Sequence, residues 1–393
     1  MIDDVIAQLL DDRSYHIEFN GPSTNHAKPT VIALAGLNSP VADIKAYYYA
    51  HAVRPLVGYS LEPAEPLLAA ITTVNWRHHL GERTSFGSYC VFFDQQAAEL
   101  GLARLLCDYV PALLPGWVGS LTHAATHLGW ALDAGHRWMA IEGLAYMACS
   151  YTSWPEQEAA HHVKLHDLSP VDSLLRIADF RDRRAGGIHR WGCDIAPSRE
   201  ADRPVSDGFS LEERVTQTLS TGHPLLHALP AWLDRQTLAA CWDQLSYAVA
   251  LLYLAKPGDL VLLHLITSLH ATEQIANRLP PHEQVRAIRC FWTGMLAILF
   301  SLPEAPSKAK LAALHRVFQD AIDIHVSPDW SPEWCQITAR ALAEEEKHNP
   351  RAVYVLRQWW DRTQGRAIFR SAASQFACNH PVPPRAGEHP AGQ

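Results

Sequence analysis

The sequence lacks the features that mark several large classes of protein. Its 393 residues contain no block of Lys and Arg that resembles a nucleic-acid footprint, and the net charge is −8, so no polynucleotide partner is expected. The first residues, MIDDVIAQLLDD, are acidic where a secretory signal is basic, and the apolar run at 247–255 is shorter than the about 20 residues that cross a bilayer. We therefore expect a cytoplasmic protein with no membrane partner.

Closely spaced cysteines and glycine-rich loops are also missing. The eight cysteines are scattered, with no CxxC, so the chain offers neither a zinc knuckle nor a tight disulfide framework and suits a reducing compartment. The motifs GxGxxG and GxxxxGK[ST] are absent, which counts against a conventional flavin monooxygenase and a standard phosphate loop. A small or hydrophobic molecule is the expected ligand.

Runs of alternating β-branched residues are nearly absent, whereas apolar residues recur at the helical intervals of three and four, as at 141–151 and 311–323. The hydrophobic content of 48% supports a sizeable core. We predict an all-α fold in one large multi-helix domain over residues 1–378. The polar stretch 181–210 is predicted to be a long central loop, and the tail 379–393 is predicted to be disordered.

Histidine, by contrast, is abundant, with 22 copies. His123 and His127 are four positions apart in the apolar stretch SLTHAATHLGW, so on a helix both rings would lie on one face at a spacing that suits one divalent ion. Two hydrogen-bonded core histidines would explain the spacing equally well. His26, which opens an apolar helix, and His264, in DLVLLHLITSLH, have similar surroundings.

Two ExxH spacings, Glu158/His161 and Glu345/His348, have the form of di-iron ligand pairs. In a chain this rich in Glu and His, one or two such spacings are expected by chance. The stretch AEEEKHNP moreover has the composition of an exposed, charged helix end, so we expect His348 to lie near the surface.

Four segments, taken in order, resemble the questin oxidase-like proteins. They are Asn25-His26 with its apolar helix (25–37), NWRHHLGERTSFGSYCVFF (75–93), SLTHAATHLGWAL (120–132) and VLLHLITSLHA (261–271). The stretch 337–354 looks like the last characteristic segment of the same family. The resemblance implies an all-helical fold and an oxygenase that opens a ring of an anthraquinone-type polyketide.

The resemblance further implies a mononuclear non-haem iron site, held by histidines and, in some members, by a carbamylated lysine. The matching ligands here would be His26, His123, His127 and His264. The chain departs from the family pattern at 332–336, where Gln336 stands in the place of the lysine and Glu333 could supply an oxygen ligand instead. The implied cofactor is Fe(II), or another divalent metal, with O₂ as cosubstrate.

Residues near these segments are candidates for the substrate site. His79 and Arg77, in NWRHHLGER, could orient or deprotonate a substrate, or could form a structural salt bridge and helix cap. Tyr48, Trp76 and Trp130 are candidates for the lining of a pocket for a flat ligand, although packing in a helical core is the commoner role of such side chains.

Together these features predict a non-haem iron oxygenase that cleaves a C–C bond of a small aromatic polyketide, with Baeyer–Villiger-like ring opening as one route. Substrate deprotonation would precede delivery of O₂ to a carbanion-like carbon. The use of NADPH and the oligomeric state stay open. Two rival hypotheses also stay open: a zinc-type hydrolase at the same histidines, and a metal-free ligand-binding protein.

Overall fold

A computed structural model describes residues 3–21, 23–53, 60–152, 164–183, 210–220, 224–323, 332–344, 346 and 348–377. Within this part of the chain there are 18 α-helices, and the strands form only two pairs of two residues each, which confirms the all-α prediction. Most of the predicted loop at 181–210, the whole predicted tail at 379–393, and Glu158, His161 and Glu345 lie outside the described residues.

The α-helices, numbered in chain order, are α1 (Asp4–Leu10), α2 (Ala27–Gly36), α3 (Val41–Val53), α4 (Phe86–Leu100), α5 (Leu102–Leu113), α6 (His123–Asp133), α7 (Arg137–Cys149), α8 (Pro170–Arg183), α9 (Leu211–Ser220), α10 (Pro224–His227), α11 (Ala231–Arg235), α12 (Leu238–Ala255), α13 (Leu260–Ala276), α14 (Pro281–Ser301), α15 (Lys308–Phe318), α16 (Pro332–Ala343), α17 (His348–Arg362) and α18 (Ala367–Ala373). Short 3-10 helices cover Trp76–His79, Arg83–Ser85, Leu114–Gly116 and Gly119–Thr122. The strand pairs are β1 (Glu18–Phe19) with β2 (Ser23–Thr24), antiparallel, and β3 (Lys164–Leu165) with β4 (Leu229–Pro230), parallel.

The centre of the fold is the packing of α6 against α7 on one side and α13 on the other. Two glycines allow these helices to approach closely. A Cβ at Gly129 of α6 would lie 2.3 Å from the backbone of Ala271 in α13, and a Cβ at Gly143 of α7 would lie 2.5 Å from Cα of Leu128 in α6. Because real Cβ atoms do not approach so closely, these two positions require glycine and fix the central helices in contact.

The two ends of the chain meet over this centre. Helix α17 packs against both α2 and α13, and α2 also contacts α6. One hydrophobic core cluster accordingly includes residues from Ile6 near the start to Ala377 near the end of the described chain. Residues that are far apart in sequence are thereby brought together where α2, α6, α13 and α17 begin.

Helix α12 contains the most apolar run of the sequence. It is the one described helix that is long and apolar enough to cross a membrane, with 18 residues and a mean hydropathy of 1.3. However, 67% of it is buried inside the protein, as in the core helix of a globular domain, so by itself it is weak evidence for a membrane.

Candidate metal centre

Four histidine rings, each from a different helix, meet in the interior. His26 immediately precedes α2, His123 begins α6, His264 lies in the second turn of α13, and His348 begins α17. Around this histidine cluster the successive ring centroids lie 4.8 Å (His26–His123), 4.8 Å (His123–His264), 4.7 Å (His264–His348) and 5.1 Å (His348–His26) apart. The four rings therefore form a closed circle.

The ligand-type atoms of the cluster are correspondingly close. One nitrogen from each of His26, His264 and His348 lies within 4.8 Å of the other two. His123 contacts both His26 and His264 through its ring. Side chains grouped in this way are those that share a single ion, and imidazole is a suitable ligand for Fe(II), Zn(II) and similar metals.

Three of the four rings are oriented by hydrogen bonds at Nδ1. His123 and His264 donate to main-chain carbonyl oxygens at 2.5 and 2.6 Å, and His348 bonds the carboxylate of Glu346. A neutral ring that donates from Nδ1 keeps an unprotonated Nε2, and this second hydrogen bond is how proteins fix metal-binding histidines. The three rings are thus set to offer Nε2 as a ligand atom.

His264 shows most directly that the cluster fits a metal ion. Its Nε2 is buried and has no hydrogen-bond partner among the described residues. Burial lowers the pKa of His264 well below its ordinary value, and the neighbouring His348, His123 and Arg351 lower it further, so the ring is neutral. A buried nitrogen with a free lone pair is costly without a partner. A divalent ion would satisfy this lone pair, so the donors present fit such an ion.

An unusual backbone turn delivers His123 to the cluster. The three residues before it, Ser120, Leu121 and Thr122, have φ angles of 48°, 50° and 74°. Left-handed conformations cost non-glycine residues about 1–2 kcal/mol each. Strain of this kind persists only where the surrounding structure imposes it, and it is concentrated at functional sites.

A partly buried set of ion pairs and hydrogen bonds holds the turn at Ser120. The backbone N–H of Ser120 donates to Glu212 at 2.9 Å, and its hydroxyl donates to Glu18 at 2.9 Å. Arg83 bridges the two carboxylates, with 2.8 Å to Glu212 and a close ion pair to Glu18, and the hydroxyl of Tyr146 donates to Glu18 at 2.8 Å. These contacts fix both the backbone and the side chain of Ser120. They thereby position the Ser120 carbonyl, which accepts the hydrogen bond from His123.

A buried arginine also reaches the cluster. Arg351, in the first turn of α17, is fully buried, and its Nη1 donates to Nδ1 of His26 at 3.2 Å. Burial lowers the pKa of Arg351 to about 10, against the opposing effects of Tyr47 and Glu346. Because this value is still far above neutrality, Arg351 adds a positive charge beside the four rings.

His127 does not join the cluster, although it is on the same helix as His123. Its Nε2 lies 3.3 Å from Glu142, which pairs with Lys28 at 2.6 and 2.7 Å and accepts a hydrogen bond from Trp138 at 2.9 Å. Burial alone would raise the pKa of Glu142, but Lys28 and His127 more than offset it and lower the pKa. The contacts of His127 are those of a hydrogen-bonded core histidine.

The structure does not bring Glu333 or Gln336 to the cluster either. Both lie exposed on α16, whereas the cluster is in the interior. Their predicted role as extra ligands has no contact that supports it. Arg351 instead lies three residues after the cluster residue His348, on α17.

Arg77 and His79 lie at the surface of the 3-10 helix at Trp76–His79. Arg77 is exposed, with its guanidinium 5.2 Å from the ring centroid of Trp76, and Nδ1 of His79 lies 2.7 Å from the carboxylate of Glu82. A hydrogen bond from His79 lowers the pKa of Glu82. These contacts match the structural alternative, a local salt bridge, and the role of the two residues in catalysis stays a prediction.

The three aromatic residues predicted to line a pocket are all buried. Tyr48 donates to Asp12 at 2.9 Å and borders a small polar cavity that Lys28, His127 and Glu142 also line. Trp76 packs edge-to-face on Tyr109, and Trp130 packs on Tyr354 and His270. The described contacts of the two tryptophans are those of core packing.

His348 corrects an expectation from the sequence, because it is only 7% exposed rather than at a surface helix end. The stretch AEEEKHNP does not end a helix, because its Pro350 lies in the first turn of α17, where a missing N–H costs little. Glu346 accepts the backbone N–H of His348 at 3.0 Å and so caps this new helix. A helix start at His348 could have been recognised in the sequence from two residues. These are an acid, Glu346, two positions before it and a proline, Pro350, two positions after it.

A sequence model of the questin oxidase-like family matches residues 23–356. The matched span covers most of the chain and contains all four cluster histidines and Arg351, and the match confirms the resemblance seen in the sequence. No curated protein matches the chain.

Proposed function

The chain belongs to the questin oxidase-like family, and from this premise we propose that it is a metal-dependent oxygenase that cleaves or oxidises an aromatic polyketide ring. Membership indicates an oxidoreductase of polyketide metabolism. The observation that carries the proposal is the closed circle of four histidines, one of which keeps a buried and unpartnered Nε2.

His123, His264 and His348 would hold the metal through Nε2, and His26 would join them through Nδ1 in place of its hydrogen bond from Arg351, with Fe(II) as the proposed ion and O₂ as the cosubstrate. A bound Fe(II) would supply the one-electron chemistry with O₂ that side chains lack. The protein's part is to keep His264 neutral by burial, to orient His123, His264 and His348 through hydrogen bonds at Nδ1, and to exclude water from the reacting centre. Action in the cytoplasm on a small aromatic substrate belongs to the same proposal.

Metal content of matched histidine variants tests the ligand set. The protein would be purified without chelators or an affinity tag that carries metal, as wild type, His348→Gln and His127→Gln. We expect near-stoichiometric iron in the wild type, most of it lost in His348→Gln and retained in His127→Gln. Loss in His127→Gln with retention in His348→Gln would instead favour the ligand set that the sequence resemblance implied.

The identity of the metal and the oxygen balance test the reaction class. Iron, together with O₂ uptake that depends on an added hydroxyquinone, would support the oxygenase. Zinc without O₂ uptake would favour a hydrolase, and a chain that binds no metal even after anaerobic Fe(II) reconstitution would be a ligand-binding protein. A ring-cleaving dioxygenase puts both oxygen atoms into the product and needs no NADPH, whereas a monooxygenase that reduces the second oxygen atom to water with NADPH consumes one NADPH for each O₂, so the NADPH:O₂ ratio separates the two types.

A further inference from the structure

Arg83 joins two carboxylates from distant parts of the chain. Its guanidinium pairs with Glu18 of β1 and, at 2.8 Å, with Glu212 in the first turn of α9. Only 6% of the Glu18 side chain and 20% of the Glu212 side chain are exposed, so both carboxylates are largely removed from water and need this cation. Both also accept hydrogen bonds from Ser120, in the turn that precedes His123.

The turn keeps its shape only while these contacts hold it. Ser120 has a φ of 48°, in the left-handed region that is unfavourable for residues with a side chain. On the other side, a Cβ at Gly119 would lie 2.3 Å from the carbonyl oxygen of Ser150, so the backbone before Ser120 already rests on the residue that follows α7. Hydrogen bonds to charged groups are strong, and the loss of Arg83 or of a carboxylate would therefore let the turn relax.

The carbonyl of Ser120 determines which nitrogen His123 offers to an ion. Nδ1 of His123 donates to it at 2.5 Å, and a neutral ring that donates from Nδ1 keeps Nε2 as its acceptor atom. The same hydrogen bond holds the ring centroid 4.8 Å from those of His26 and His264. A relaxed turn would displace this carbonyl, and His123 would lose both its tautomer and its place in the circle.

On the premise of the proposed function, we infer that Arg83 and Glu212 are positioning residues of the metal centre. The described ion pairs and hydrogen bonds of their side chains are with Glu18 and Ser120 rather than with a cluster ring, so they act on the metal through the turn. Helix α9 packs on α14 and supplies no cluster ring, yet Glu212 couples it to the cluster. Coupling between two sites is reciprocal, so a bound ion would also stabilise the docking of α9 at the turn.

Arg362 provides a matched control in another part of the fold. It also bridges two carboxylates, Asp243 at 2.9 Å and Glu273 at 2.5 Å, and its side chain is 35% exposed against 38% for Arg83. It is the last residue of α17 and so lies at the opposite end of that helix from His348. Arg362→Met therefore removes a comparable set of ion pairs without a contact to the turn.

Co(II) binding to the two arginine variants tests the positioning role. Co(II) replaces Fe(II) as a probe because its visible spectrum depends on the number and geometry of its ligands. In competition with a chelator, Arg83→Met should bind Co(II) about 10–100-fold more weakly than the wild type and with an altered spectrum, as expected when an outer partner of a metal ligand is lost. Arg362→Met should stay within about twofold of the wild type with the same spectrum. Arg83→Lys, which keeps the charge but not the planar fork, should recover part of the affinity.

Hydrogen exchange tests the reciprocal effect. Co(II) should slow the exchange of the backbone amides of α9 in the wild type and in Arg362→Met, and should slow it much less in Arg83→Met. Equal slowing in all three chains would overturn the coupling through Arg83.

The proton on Nδ1 of His123 gives a readout that needs no metal. In the metal-free chain labelled with ¹⁵N-histidine, the NMR signal that disappears in His123→Gln belongs to this ring. It should show a hydrogen-bonded Nδ1–H in the wild type and in Arg362→Met, and this hydrogen bond should be lost in Arg83→Met. If the wild type takes up no metal, the proposed oxygenase fails, and this signal still decides whether Arg83 and Glu212 position His123.

Equal Co(II) affinities and spectra in Arg83→Met and Arg362→Met overturn the assignment and leave the proposed oxygenase standing, and so does an unchanged Nδ1–H signal. If Arg83→Met does not fold, Glu212→Ala takes its place, because it keeps the pair between Arg83 and Glu18 and removes only the contacts made by α9. Glu273→Ala is then the control, since Arg362 keeps Asp243. Equal spectra in these two variants again overturn the assignment.

Discussion

Two buried histidine networks share the same two helices and differ in how they are completed. His26 and Lys28 are two residues apart at the start of α2, and His123 and His127 are four residues apart on α6. The first member of each pair belongs to the histidine cluster, and the second belongs to the network around Glu142. His123 and His127 share both helix and residue type, so their partners must account for the difference between them.

The network around Glu142 pairs its charged groups within the protein, although Nδ1 of His127, like Nε2 of His264, is buried without a hydrogen-bond partner among the described residues. Lys28 and Glu142 form a buried ion pair, and His127 and Trp138 take further positions on the same carboxylate. The cluster brings rings together with a cation, Arg351, and leaves Nε2 of His264 without a partner among the described residues. Buried charges that are paired stabilise the fold, whereas ring nitrogens that lie within 4.8 Å of one another, as in the cluster, can share an ion.

The largest expected difference between the two networks is in how much a substitution lowers the free energy of unfolding. Lys28→Met leaves the carboxylate of Glu142 buried without its cation and should lower the free energy of unfolding by about 3–5 kcal/mol. In the metal-free protein, His264→Gln should cost less, about 1–2 kcal/mol, because the ring loses only the hydrogen bond from Nδ1 to the carbonyl of Leu260, and Nε2 has none to lose. Urea unfolding of both variants measures this, and equal costs would remove the distinction between the two networks.

A smaller effect concerns the backbone that supports each network. Thr122 lies in the left-handed turn before His123, and Thr126 lies within α6, and both side chains are buried. Thr122→Gly relieves an unfavourable conformation, whereas Thr126→Gly weakens a helix, so the first should be the more stable variant by about 1–2 kcal/mol. Thermal and urea unfolding compare them, and a more stable Thr126→Gly would show that the turn is not strained.

The smallest effect is on the pH dependence of stability. Burial lowers the pKa of His127 below its ordinary 6.5, although Glu142 opposes this. The ring is therefore neutral in the folded state at pH values where the unfolded chain is protonated, and stability is lost as the pH falls from 6.5 towards the lowered value. The free energy of unfolding should fall more for the wild type than for His127→Gln between about pH 8 and about pH 5.5. Parallel profiles would contradict the lowered pKa.

The sequence predicted the fold because helical periodicity is a local property. It also singled out His26, His123 and His264, since a histidine among apolar residues of a helix stands out without any knowledge of the fold. His127 had the same local signature, and only Glu142, brought alongside by the packing of α7 on α6, separates it from His123. The spacing of four residues could not show that α6 begins at His123 after a left-handed turn.

His348 and Arg351 were not predicted for a different reason. The charged stretch AEEEKHNP has the composition of a helix end. In the structure, however, Glu346 in this stretch caps the start of the next helix, α17. The burial of Arg351 depends on the docking of α17 against α2, which is a contact between opposite ends of the chain. Such long-range contacts are set by the whole fold and leave little local signal.

The contact between His26 and Arg351 spans 325 positions of the chain. Chains are made from the N-terminus, so His26, His123 and His264 all leave the ribosome before His348 exists, and no shorter nascent chain has the complete circle. If the proposed ion binds to the four rings, it would bind only as the last helices dock, and it would then connect the first part of the chain to the last. Because it would contact both ends of the chain, the ion would slow unfolding from either terminus. In a cell that is short of the metal, proteases should therefore degrade the metal-free chains faster and the amount of the protein should fall.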